Sequence, residues 1–180
     1  MQTVRDGWSD EVRRVESTHC DERPPGERVC LLVLHAISLP PGEFGGDSVE
    51  RLFTGRLDAA AHPYFRALAG TRVSAHFLVR RDGEVLQFVP VTQRAWHAGV
   101  SSWRGRPRCN DFSVGVELEG TDDTAFTDPQ YRSLSRVARA LCREFPVAAI
   151  AGHSDIAPGR KCDPGTGFDW PRLYASLLAA

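Results

Sequence analysis

The sequence predicts an α/β protein, with apolar strands and amphipathic helices arranged around a central sheet. Three observations carry this. Two short apolar runs, Val29 to Leu34 and Val147 to Ala151, read as buried strands, and each leads into a histidine, His35 and His153. The segments flanking Arg81-Asp82-Gly83 are strand-like, and the Asp-Gly pair signals a hairpin turn. Between them and the second run, Tyr131, Leu134, Val137, Ala138, Leu141, Cys142 and Phe145 keep helical spacing.

At 180 residues the chain is sized for one domain with a real core. Its 42% apolar and 25% charged composition is that of a globular protein. A net charge of −1 gives no electrostatic footprint for nucleic acid or an anionic membrane. No apolar run approaches the roughly 18–20 residues of a spanning helix. Met1 to Ser17 is polar and lacks the apolar stretch of a secretory signal. Five cysteines without CxxC or framework spacing fit reduced thiols. Such thiols point to a cytoplasmic setting.

In chain order, residues 1–28 form a polar arm ahead of a domain over 29–180, and His19 and Cys20 in it are expected to be exposed loop residues. Val29 to His35 is expected at the centre of the sheet, since a near-continuous apolar run needs cover on both faces. Ser48 is the expected cap of a short helix to Phe53. Pro63 to Ala69 reads as another, stopped by Gly70 and preceded by a surface His62. In the first hairpin strand, Val73 to Arg80, His76 is assigned a structural role.

Phe112 to Glu119 alternates: Phe112, Val114, Val116 and Leu118 face one way, Ser113, Gly115, Glu117 and Glu119 the other. Gly115 leaves room beside the carboxylates. Asp128 with Pro129 is expected to start the long helix, Pro146 to end it, and Asp169 to cap a last helix. Within 96–110, aromatics beside arginines suit a sugar carrying an anionic chain.

The loop Gly152 to Gly165 is where these elements converge. Pro164 favours extended backbone at Asp163, so Lys161 and Asp163 are expected to point one way and Cys162 the other. His35, His153 and Asp163 then offer three N/O ligands, the pattern of a catalytic zinc with one position open to water. Glu117 is the candidate general base, with Glu119 secondary, and Lys161 the candidate partner for a developing oxyanion.

Long motifs carry a family resemblance: His35 to Gly46, Phe53-Thr54-Gly55, Ala61 to Phe65, Arg72 to His76, Arg94 to Ser102, Gly115 to Gly120 and the 152–165 loop. Across nearly its whole length the chain closely resembles the AmpD-type cytoplasmic 1,6-anhydro-N-acetylmuramyl-L-alanine amidases. The resemblance implies a mixed central sheet flanked by helices, and zinc on His35, His153 and Asp163 with Glu117 and Lys161 as catalytic partners. It implies cleavage between the lactyl group of anhydromuramic acid and L-alanine in recycled muropeptides, an activity that in some bacteria keeps inducers of β-lactamase low. It also points to Arg72 and Arg108 for the anionic peptide stem, beside Trp96. Ala36 and Cys162 depart from the family, which usually has Asn and Thr there. Two other functions are weighed: a muropeptide-binding module without turnover, against which Glu117 and Lys161 argue, and an exported amidase acting on intact wall, against which the missing signal argues.

Overall fold

A computed structural model of the chain describes residues 6–179; the start of the polar stretch, residues 1–5, lies outside them. The strands are β1 (Arg13–Arg14), β2 (Cys20–Glu22), β3 (Leu31–Ile37), β4 (Phe77–Val79), β5 (Val85–Gln87), β6 (Gln93–Ala95), β7 (Ser102–Trp103), β8 (Arg106–Pro107), β9 (Ser113–Glu119) and β10 (Ala149–Gly152). The helices are α1 (Ser48–Phe53), α2 (Pro63–Arg66), α3 (Asp128–Glu144), α4 (His153–Ile156) and α5 (Trp170–Leu178).

Six strands form one mixed sheet in the order β1-β5-β4-β9-β3-β10. β3 runs parallel to β9 on one side and to β10 on the other. β4 is parallel to β9 and antiparallel to β5 across the Arg81-Asp82-Gly83 turn. There Gly83 adopts φ +91°, which its missing Cβ permits. The hairpin strands are shorter than the sequence predicts: Ser74 N donates to Trp96 O just after β6 and His76 N to Gly115 O on β9, while His76 O still accepts from Phe88 N across the hairpin. The central placement of the first apolar run is as expected: Leu31 to Leu34 are wholly buried.

Alternation on β3, β4 and β9 splits the apolar side chains between two layers. Leu32, Leu34, Phe77, Val79, Val116 and Leu118 pack under α3 and α5. On the opposite face, Leu78 and Leu86 meet Phe53 and Phe65 of the short helices, while Leu31 and Val33 meet Phe112 and Ile156. Phe112 precedes β9 and so leaves the face predicted for it. The space between these two opposite-face clusters, at the carboxyl ends of β3, β9 and β10, is where an open sheet places ligands.

Several local predictions shift by a residue or change environment. Asp47, not Ser48, holds the position before α1, and its carboxylate accepts from Arg51 Nε at 2.8 Å. Thr127, not Asp128, caps α3 in a reciprocal box with Gln130. Asp169 caps α5 as predicted, accepting from Arg172 N. Cys142 is exposed rather than part of the α3 stripe. Among the described residues no helix is long and apolar enough to cross a membrane.

The arm is woven into the domain. β1 adds to the sheet edge beside β5, and β2 pairs with β6. His19 is buried, with Nδ1 3.0 Å from Val73 O, and Cys20 is half-buried, correcting the exposed reading of both. Arg23 donates to the carbonyls of Val91, Asn110, Asp111 and Ser113. Burial, helped by nearby Arg94, draws its pKa down to about 10, so it stays charged at neutral pH. Replacing it by alanine strands those carbonyls. Arg23→Ala is expected to lower unfolding free energy by about 2–4 kcal/mol, read from urea denaturation; an unchanged midpoint would show that the arm is not held by this residue.

Candidate metal centre and active site

Parallel register brings the site together. His35 on β3 stands opposite Glu117 on β9, and β10 on the other flank of β3 hands the chain to α4, whose first residue is His153. Asp163 arrives from the following loop, pinned where its carbonyl accepts from Ser154 N at 3.0 Å. His35 Nδ1 and His153 Nδ1 lie 2.9 Å apart, and each is 3.1 Å from Asp163 Oδ2. All three side chains are buried. They form the group among the described residues able to hold a metal ion.

The donor chemistry tests that fit. Ala98 O, 3.1 Å from His153 Nε2, can only accept a hydrogen bond. Arg160 Nη2 directs its two hydrogens to Ala98 O and Val100 O, both at 2.7 Å. The His153 proton therefore sits on Nε2, and its Nδ1 faces the site as a bare lone pair. A buried carboxylate oxygen and a bare imidazole nitrogen at 3.1 Å repel unless a cation or a proton lies between them. Two nitrogens and one oxygen suit zinc.

Electrostatics agree. Burial lowers His35 to about 4, against the pull of Asp163. Glu117 is driven well above its ordinary value, first by burial and then by the charge of Asp163. Its Oε2 is buried without a hydrogen-bond partner. Glu119, two residues on, is committed elsewhere: its carboxylate accepts from Gly45 N at 2.7 Å and Arg81 N at 3.1 Å.

A cleft of about 480 Å³ opens over this group, a size suited to a small-molecule site. His35, Ala36, Trp96, Glu117, His153, Lys161 and Asp163 all line it. Cys162 lines a different depression and bonds to Asp122 Oδ2, so the predicted alternation of Lys161 and Asp163 against Cys162 holds. Arg72 enters an adjoining hollow of about 250 Å³ shared with Trp96, Arg160 and Lys161, and lies over the Trp96 ring at 4.9 Å. The arm braces that ring: Asp21 Oδ1 accepts from Trp96 Nε1 at 3.1 Å, and His19 stacks against it.

Arg108 lines neither cavity. It pairs with Asp111 Oδ2 at 2.7 Å, and Arg104 and Arg106 lie over Trp103 and Phe112. From the aromatic and basic loop the cleft takes Trp96 and His97 but none of the arginines. Among the cleft-wall residues that sequence reasoning passed over are Tyr64, Ser74, His97, Thr121 and Asp122. His97 was legible only as part of the Trp96-His97-Ala98-Gly99 motif.

The fold and the site define a hydrolase of a known class. The N-acetylmuramoyl-L-alanine amidase family model matches residues 25–166, and the chain belongs to that family. It is 58% identical over 171 residues to the 1,6-anhydro-N-acetylmuramyl-L-alanine amidase AmpD of Salmonella typhimurium, covering 94% of this chain and 91% of the relative. A crystal structure of a Se-Met AmpD derivative matches with TM-score 0.96 at 57% identity, over 98% of this chain and 99% of that one. The structure of AmpDh3 from Pseudomonas aeruginosa in complex with anhydromuramic pentapeptide matches with TM-score 0.61 at 31% identity, over 85% of this chain and 61% of that one. The likeness is thus to the AmpD type within the family.

The buried histidines make stability depend on pH in a defined direction. His35 is lowered to about 4 and His76 to about 3, chiefly by burial. Unfolded, each protonates near 6.5, so the folded chain binds fewer protons between that value and its own lowered one. Stability is full above pH 6.5 and is lost as pH falls toward 4, by at most about 1.4 kcal/mol per pH unit for each histidine. Glu117, raised, acts with the opposite sign above pH 4.5, but is outnumbered. Urea midpoints of metal-free protein are expected to fall from pH 7 to pH 5; a flat profile would contradict neutral burial of these rings.

Proposed function

We propose that this amidase hydrolyses, with zinc, the amide bond between the lactyl group of 1,6-anhydro-N-acetylmuramic acid and L-alanine in recycled muropeptides. The carrying observation is the buried convergence of His35, His153 and Asp163 beside an unpartnered Glu117 carboxylate in one cleft. The substrate class is supported by the likeness to proteins named for that activity.

His35 Nδ1, His153 Nδ1 and Asp163 would hold the ion. Zinc, when bound, polarises a carbonyl and lowers the pKa of a coordinated water to about 7. Glu117 takes a proton from the attacking water and returns it to the nitrogen of L-alanine as the C–N bond breaks. Its burial raises its affinity for that proton, which a nearby divalent charge moderates. Lys161 neutralises charge on the carbonyl oxygen. Trp96, held flat by His19 and Asp21, offers a sugar-stacking face, and Arg72 above it pairs with a carboxylate of the peptide stem. Arg108, outside both cavities and tied to Asp111, contributes less. The five free thiols support a reducing, cytoplasmic setting, and we place the enzyme there as a monomer, with the described part of the N-terminal arm bracing the catalytic domain that follows it. A binding module without turnover has no use for an unpartnered buried base, so the hydrolytic reading is preferred.

Chelation is expected to abolish turnover of anhydro-muropeptide and zinc to restore it; a fully active, metal-free His153→Ala protein would contradict the assignment. Glu117→Gln should lose about 10²–10⁴-fold in kcat with zinc retained, and Lys161→Ala on the order of 10²–10³. Glu119→Gln should loosen the 42–46 loop and cost less in rate. Arg72→Ala should raise KM more than Arg108→Ala, and less for amidated peptide stems. Equal losses on charged and amidated substrates would count against the ion pair.

A further inference from the structure

We propose that His97 is a positioning residue that sets the tautomer of His35, holding its Nδ1 lone pair open toward a divalent cation; this rests on the metal-site reading above. The geometry is a chain of three contacts. Ser113 Oγ donates to Cys109 O at 2.6 Å, which spends its only hydrogen. The Ser113 oxygen therefore accepts from His97 Nε2, 3.3 Å away. With its proton on Nε2, neutral His97 presents a bare Nδ1, which lies 3.0 Å from His35 Nε2. That contact needs one hydrogen, and His35 is left to supply it. His35 Nδ1 is then unprotonated, facing His153 and Asp163. The usual outer partner of a metal-binding histidine is a carboxylate or a carbonyl, which accepts by its nature. A second imidazole accepts only in one tautomer, so here Ser113 makes the choice.

The surrounding fold is built for this ring. A Cβ on Gly115 would lie 2.5 Å from His97 Cγ, so the room beside the β9 carboxylates is occupied by this imidazole. Asn110 Oδ1 accepts from His97 N at 3.2 Å and Ala98 N at 2.8 Å, fixing the backbone from which the ring projects. The same two residues therefore brace both metal-facing histidines: the His97 ring takes the His35 proton, and the Ala98 carbonyl takes that of His153.

The test reads the tautomer directly in metal-free protein, by long-range ¹H–¹⁵N correlation of the histidine rings at neutral pH. Wild-type His35 is expected in the Nε2–H form. His97→Phe keeps a flat ring and removes the acceptor; it should shift His35 toward Nδ1–H and weaken zinc binding about 10–100-fold in chelator competition. His97→Asn, whose Oδ1 falls near the lost Nδ1, should recover the Nε2–H form and much of the affinity. Ser113→Ala, a smaller change that removes the acceptor of the His97 proton, should shift His35 the same way if His97→Phe does not fold. A wild-type His35 already in the Nδ1–H form would overturn the proposal, as would a tautomer and zinc affinity indifferent to these substitutions. Tautomers that respond as expected in a protein that binds no zinc would uphold the role of His97 and fail the metal reading alone.

Discussion

Crowding of lone pairs at one end of the central sheet is the constraint on which this structure turns. Two imidazole nitrogens and a carboxylate oxygen lie about 3 Å from one another in a buried space. Their mutual repulsion is tolerable only if charge or protons lie between them. The parallel pairing of β3 with β10 brings His35 beside His153, the loop after α4 returns Asp163 to them, and β9 on the other flank sets Glu117 opposite His35. Moving β3 or β9 by one residue would turn His35 or Glu117 to the α3 face.

What surrounds the centre serves to keep that arrangement fixed. Arg23 gathers four carbonyls from the 91–113 region, and the segment it steadies carries His97 and Ala98. Asp21 and His19, from the same arm, hold Trp96 at the cleft wall. The arm is thus part of the site's scaffold. Glu119, although it shares a strand face with Glu117, is a structural carboxylate that binds the 42–46 loop and the hairpin turn to the sheet. Burial without partners distinguishes Glu117 from this neighbour.

Much of this was legible in sequence because the chemistry is local. An apolar run covered on both faces and ending in histidine marks β3, and the spacing of Lys161, Cys162 and Asp163 before Pro164 foretells which side chains enter the cleft. At α1 and α3 the sequence points one residue late because Asp47-Ser48 and Thr127-Asp128 each offer two candidate capping side chains; extended Thr127 makes the cap bond at α3, while Asp47 stands before α1 without one. His19 and Arg23 were unreadable for a different reason. Their partners lie 54 to 90 residues away, and a polar arm carries no periodicity that announces burial. The arginine-rich loop misled in the other direction: most of its cations satisfy nearby acidic groups or rings, which composition alone does not distinguish from ligand binding.

The account is tested most directly by locating the ion. Crystals grown with zinc, measured at its absorption edge, should give one strong anomalous peak per chain among His35 Nδ1, His153 Nδ1 and the Asp163 carboxylate, with Zn–N distances of about 2.0–2.1 Å. A peak bound through Nε2 of either ring, a peak elsewhere in the chain, or none at saturating zinc would contradict it.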